Sequence, residues 1–215
     1  MKIGVFDSGI GGLSVARAIE KALPEHEMIF VNDAEHVPYG SKKPDEILGY
    51  VVPILQKLVD GGCQVIVIAC NTVTTTLITE LRAHISVPLV AVEPMVKPAA
   101  EQTRTGVIAV CATPATLASQ RYGQLKAEYA KDITVVEPDC GDWAFMIEHQ
   151  QVDERAIQAR IQEVLDKRAD VIVLACTHYH WIEELIKRLA KDRADIIQPE
   201  QALIRQLKRV LTQLA

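Results

Sequence analysis

Val65-Ile66-Val67-Ile68-Ala69-Cys70-Asn71-Thr72 and Val171-Ile172-Val173-Leu174-Ala175-Cys176-Thr177-His178 repeat one phrase about half a chain length apart. Each is a continuous apolar run without the alternation of a half-exposed strand. Each therefore predicts a strand covered on both faces, as in parallel sheets flanked by helices. Each run also ends in a cysteine, which puts a thiol at the C-terminal tip of a buried strand. The repetition points to two similar halves, an arrangement suited to chemistry that needs one thiol on each face of a substrate.

Working outward from these runs, further short β-branched stretches occur at 2–7, 27–33, 88–92, 105–111, 133–137 and 194–197. Segments with helical periodicity lie between most of them, at 11–22, 44–60, 73–84, 120–131, 153–168 and 181–191. Strands alternating with helices predict an α/β, doubly wound fold. No Ser/Gly/Pro-rich linker marks a boundary, but the duplication sets a seam near 92–104. The expected domains are 1–95 and 96–200, with a last helix at about 200–215 free to pack back onto the first. In open α/β sheets ligands bind beyond the carboxyl ends of the strands. That rule gives Asp7, Cys70, Thr113 and Cys176 equivalent positions.

The 215 residues are 49% apolar and 24% charged, with a formal net charge of -5, as in an ordinary folded protein. The negative balance and the lack of a Lys/Arg cluster with interleaved aromatics exclude a nucleic-acid surface. No apolar segment approaches the roughly 20 residues of a membrane span. The N-terminal run Ile3 to Phe6 is too short for a signal peptide, so a cytoplasmic location is expected. There Cys63, Cys70, Cys111, Cys140 and Cys176 would be reduced, which favours thiol chemistry over disulfides.

Asp7-Ser8-Gly9-Ile10-Gly11-Gly12 follows the first strand and opens a helix; its glycines would let backbone approach a ligand, and the helix N–H groups favour an anion. Gly9-x-Gly11-x-x-Ser14, with Asp33 further on, also leaves a dinucleotide reading open. At Cys70 the following helix N-terminus is expected to lower the thiol pKa. In Cys176-Thr177-His178-Tyr179-His180 an extended backbone would turn Cys176, His178 and His180 to one side, but no second cluster completes a zinc site, so no metal is expected. His178 reads better as a proton-handling partner of the thiol, and His180 equally as a solvated residue at a helix start. Thr113 reads as a helix cap or a ligand contact, Pro38-Tyr39-Gly40 as a turn, and Cys63 and Cys111 as small core residues. Glu148 taken alone reads as a surface acid. Cys140 has no assignment.

Taken in order, Asp7-Ser8-Gly9-x-Gly11-Gly12, Pro38-Tyr39-Gly40, Cys70-Asn71-Thr72, Thr113-x-x-Thr116 and Cys176-Thr177-His178-Tyr179 resemble the glutamate racemases along the whole chain. The resemblance implies two pseudo-symmetric, doubly wound parallel-sheet domains with the active site in the cleft between them. It implies cofactor-independent interconversion of L- and D-glutamate for peptidoglycan synthesis, with Cys70 and Cys176 as the two bases. Asp7, His178 and Glu148 would assist them. Substrate contacts carried over are Asp7, Ser8, Tyr39, Gly40, Asn71, Thr72, Thr113, Thr116, Thr177 and His178.

The only partner so implied is a small molecule, glutamate, with aspartate or another amino acid left open because the related aspartate racemases also use two cysteines, and with a non-catalytic amino-acid-binding relative as the further alternative. The resemblance also admits a homodimer. The chain departs from the family at Ala175 and His180, where Gly and Pro are usual, at Gln198-Pro199 after the last strand, and in shortened segments around 139–155.

Overall fold

The computed structural model describes residues 1–214; Ala215, the end of the expected last helix, lies outside the described residues. The apolar runs form two four-stranded sheets, every adjacent pair parallel. The first contains β1 (Lys2–Asp7), β2 (Glu27–Asn32), β3 (Val65–Ile68) and β4 (Leu89–Ala91), in the order β2-β1-β3-β4. The second contains β5 (Val107–Cys111), β6 (Thr134–Val136), β7 (Val171–Leu174) and β8 (Asp195–Ile197), in the order β6-β5-β7-β8. The same topology is thus used twice.

Helices α1 (Leu13–Ala22), α2 (Pro44–Asp60) and α3 (Asn71–His84) connect the strands of the first sheet. Helix α4 (Val96–Gln102) follows β4 and leads into the second sheet, whose connections are α5 (Pro114–Leu117), α6 (Gln120–Tyr129), α7 (Trp143–Glu148), α8 (Glu154–Asp166) and α9 (Glu183–Ala190). A final helix, α10 (Glu200–Leu214), closes the described chain. The seam region around 92–104 is therefore helical in its middle; α4 buries only Val96 and Ala99, too little apolar periodicity to stand out in sequence.

The unbroken apolar runs are explained by two dry faces. Ile66 and Ile68 point into one core cluster with α2 and α3, whereas Val65 and Val67 point into another with α1 and the α10 residues Leu203, Leu207 and Leu211. In the second sheet, Ile172 and Leu174 face α7, α8 and α9, while Val171 and Val173 face α4 and α6. Every side chain of β3 and β7 is buried. Cys63 and Cys111 are buried in these clusters. Cys140 joins Trp143 and Tyr179 in the same cluster as Cys111, and its carbonyl accepts a 2.7 Å hydrogen bond from the Tyr179 hydroxyl. Among the described residues no helix is long and apolar enough to cross a membrane.

In each sheet the strand order reverses between the first and third strands of the chain, β1 and β3 or β5 and β7. Connections leave such neighbours toward opposite faces and open a crevice at their carboxyl ends. Asp7 and Cys70 stand at one crevice and Thr113 and Cys176 at the other. The two crevices face each other.

Candidate active site

The opposed crevices enclose one cavity of about 20 Å³, lined by Ser8, Val37, Pro38, Tyr39, Gly40, Cys70, Asn71, Thr72, Thr113, Ala144, Cys176, Thr177 and His178. Both thiols therefore reach the same space, one from each sheet. Of the residues expected at the site, Asp7, Thr116 and Glu148 stand one layer behind its wall. Val37 and Ala144 line it without having been singled out in the sequence; apolar side chains in a loop and a short helix carry no chemical signature.

Cys70 caps α3, and the hydroxyl of Ser8 lies 3.4 Å from its sulfur. Burial, followed by the negative charge of Asp7, pushes the Cys70 thiol up to about 12; the Ser8 hydroxyl and the Val73 N–H oppose this without reversing it. The expectation of a lowered pKa is thus corrected. The helix N-terminus acts in the foreseen direction, but desolvation of the thiolate is the larger effect.

On the other side, Cys176 Sγ lies 3.8 Å from His178 Nδ1, and His178 Nε2 lies 2.5 Å from Glu148 Oε2. Burial alone would favour neutral imidazole. The bonds to Cys176 and Glu148 outweigh it and push His178 up to about 10. Burial likewise works against the Glu148 carboxylate, but His178 and the Ile10 N–H hold its pKa below the ordinary value. Glu148 is no surface acid; its side chain is 11% exposed and accepts from the Ile10 N–H at 3.2 Å. Thiol, imidazole and carboxylate thus form a line that stabilises an imidazolium beside Cys176.

The glycine loop has a different use from the one expected. Gly9 and Gly12 donate to Asp7 Oδ2 at 3.3 and 2.8 Å, and Ile10 donates to Glu148. These N–H groups are therefore engaged by the protein's own carboxylates. A Cβ on Gly11 would stand 2.5 Å from His178 N and 2.7 Å from Thr177 Oγ1, and one on Gly9 2.6 Å from Glu148 Oε2. The missing side chains let the second half, rather than a ligand, approach the first. Asp7, wholly buried, also accepts from Thr177 Oγ1 at 3.2 Å, so it spans the cleft; burial raises its pKa against these donors and the nearby His178.

A hydroxyl chain closes the cleft elsewhere. Thr113 donates to Thr116 Oγ1 at 3.1 Å, so its 2.9 Å contact with Thr72 is donated by Thr72. Gly40 packs under Thr113, where a Cβ would come within 3.1 Å of the Thr113 Cβ. Tyr39 donates to Asp33 Oδ2 at 2.5 Å, and His36 Nδ1 lies 2.8 Å from the other oxygen. Asp33 is thereby committed to its own loop, which removes the ribose contact of the dinucleotide reading. Asn71 is different: both polar atoms of its buried side chain lack a partner.

The zinc geometry considered for Cys176, His178 and His180 required an extended backbone. Thr177–Ile182 instead coils as a 3-10 helix, which turns the histidines to different neighbours. Among the described residues no group of three His, Cys, Asp or Glu side chains could hold a metal ion. Nor is His180 solvated; it is 8% exposed.

A sequence model of the Asp/Glu/Hydantoin racemase family matches residues 3–207. The glutamate racemase of Ralstonia pickettii is 39% identical over 213 residues, 97% of this chain and 76% of the relative. That of Ectopseudomonas mendocina is 38% identical over 216 residues, 98% of this chain and 82% of the relative. Among solved structures, Escherichia coli glutamate racemase in complex with L-glutamate and the activator UDP-MurNAc-ala matches with a TM-score of 0.91 and 28% identity, over 98% of this chain and 82% of that one.

Proposed function

The chain belongs to the Asp/Glu/hydantoin racemase family and is a racemase, and on that premise we propose that it interconverts L- and D-glutamate without a cofactor, using Cys70 and Cys176 as two bases. The observation that carries this reading is that both thiols, each at the tip of the equivalent strand of its sheet, line one cavity. Racemisation removes the α-hydrogen from one face of the substrate and returns one to the other. Two thiols across a cavity do this without turning the substrate over. One begins as thiolate and the other as thiol, and the roles exchange with the direction of reaction.

The flanking groups divide the remaining work. His178, held as imidazolium by Glu148, stands beside the Cys176 sulfur, while Ser8 and the Val73 N–H favour thiolate at Cys70. Asn71, with both side-chain polar atoms unpaired, is suited to bind and orient a polar group of the amino acid. Ser8, Tyr39, Gly40, Thr72, Thr113, Thr177 and His178 complete the substrate contacts from the cavity wall, while Thr116 acts through Thr113 and Asp7, from behind the wall, supplies negative charge on the side of the substrate ammonium. A cavity of about 20 Å³ holds a single water molecule. Glutamate therefore enters when the halves separate, and closure excludes bulk water from the carbanion.

The reading carries with it domains of 1–95 and 96–200, with the helix from about 200 returned to the first. It also carries a cytoplasmic location, a homodimer, and supply of D-glutamate for peptidoglycan synthesis. The test is incubation with L-glutamate in D₂O, following α-hydrogen exchange by NMR and loss of optical rotation. Cys70→Ser and Cys176→Ser should each abolish racemisation; full turnover by either would overturn the two-base mechanism. A parallel assay with aspartate decides the substrate.

A further inference from the structure

A second contact across the halves uses side chains that the chemistry above leaves without a role. His180 lies on the same 3-10 turn as Thr177 and His178, and its side chain is 2% exposed. Its Nδ1 lies 3.0 Å from Ser14 Oγ on α1 and 3.5 Å from Glu200 Oε1 at the start of α10. Ser14 Oγ donates its one proton to the Gly11 carbonyl at 3.1 Å. With that proton so used it accepts from His180, and the Glu200 carboxylate beside the same nitrogen likewise favours the imidazole proton on Nδ1. Nε2 is buried with no partner, so polar contacts hold the ring from its Nδ1 side, through Ser14 and Glu200.

Both helices that receive His180 pack on the first sheet, where Val15, Leu203 and Leu207 share one core cluster. The bond thus ties the turn carrying His178 to the half that carries Cys70. The tie continues at Gly11, the acceptor of the Ser14 proton, whose Cα side is in contact with His178 N and Thr177. Ser14 and His180 together fix how far the 177–178 segment stands from the glycine loop, and so where His178 sits relative to Cys176.

We infer that His180, through Ser14 and Glu200, is a positioning residue for proton transfer at Cys176. The inference rests on the two-thiol reading above. His180 touches neither substrate nor thiol; it holds the turn that presents His178. Its loss slows one of two proton transfers and leaves the transfer at Cys70 unaltered.

Because enantiomers have equal free energies, kcat/KM for L- and D-glutamate must fall together in any variant, and rates alone do not locate the damage. Primary isotope effects with α-deuterated L- and D-glutamate do. In His180→Phe and Ser14→Ala, kcat/KM should fall about tenfold, as expected for a small misplacement of a reacting group. The isotope effect should rise for the enantiomer whose hydrogen goes to Cys176 and fall for the other. His180→Asn, which keeps a donor near the Nδ1 position, should restore both. The enantiomer belonging to Cys176 is the one that stops exchanging its α-hydrogen with D₂O in Cys176→Ser. Equal scaling of both isotope effects, or activity in Ser14→Ala and His180→Phe indistinguishable from wild type, overturns the positioning role while the two-base reading stands. Wild-type enzyme without racemisation or without a primary isotope effect overturns both.

Discussion

Replacing Glu148 with Gln removes one charge and leaves the side chain nearly the same shape. The Gln oxygen can still accept from Ile10, so the substitution isolates the ion pair with His178. His178 rises from its ordinary 6.5 to about 10; at 1.36 kcal/mol per unit, that is roughly 4 kcal/mol of stabilisation still present at pH 7. Cys176, Glu148 and Asp7 all contribute to it, so roughly 4 kcal/mol is the upper bound on the carboxylate's part.

The sign follows from the two shifts. A raised histidine pKa gives stability that is complete below pH 6.5 and lost as pH rises through about 10. A lowered carboxylate pKa gives stability present above 4.5 and lost as pH falls through the folded value. The penalty of Glu148→Gln should therefore be greatest around pH 5 to 6.5 and fade above about pH 10. Urea titrations of wild type and variant at pH 6.5 and 10.5 measure it as a shift in midpoint at constant slope. An equal gap at both pH values, or a larger one at pH 10.5, would refute an ionic origin.

Other outcomes are expected from the same geometry. Gly11→Ala should lower stability by about 1–3 kcal/mol and reduce racemisation far more, because the new methyl meets the backbone of His178; thermal melts and the rotation assay separate the two effects. Iodoacetamide should label Cys70 slowly at pH 8 and much faster as pH approaches about 12, tracked by peptide mass spectrometry, since burial and Asp7 suppress its thiolate. Leu207→Ala should cost about 2–5 kcal/mol in a urea titration, as it opens a void where α10 meets the first sheet. Tyr39→Phe should cost about 1–3 kcal/mol by leaving Asp33 short of a donor in a buried loop.

The architecture is legible in the sequence where the chain obeys a simple period. VIVIAC and VIVLAC announce strands buried on both faces, and their repetition announces two halves. Helices α4, α5 and α7 are not legible, because segments of four to seven residues offer too few apolar positions to define a period. At the site, the thiols and the Thr and Asn residues beside them stand out because they sit at strand ends. The use of the glycines does not, since a glycine reads the same whether a ligand or another backbone lies against it. The direction of the Cys70 shift also escapes, because desolvation depends on neighbours that only tertiary packing supplies. Ser14 and His180 are 166 residues apart in sequence, and neither belongs to a motif that names the other.

The strand order is the same in both sheets, with the equivalent crossover between β1 and β3 and between β5 and β7. That repetition bears on a problem of chirality. A chain of L-residues has no way to build the mirror image of a half-site, yet a substrate passing between mirror forms must meet suitable chemistry on both faces. Rotation offers what reflection cannot. A half-turn about an axis in the plane of a trigonal carbon exchanges its two faces, so one half-site made twice and set against itself serves both hands of the substrate.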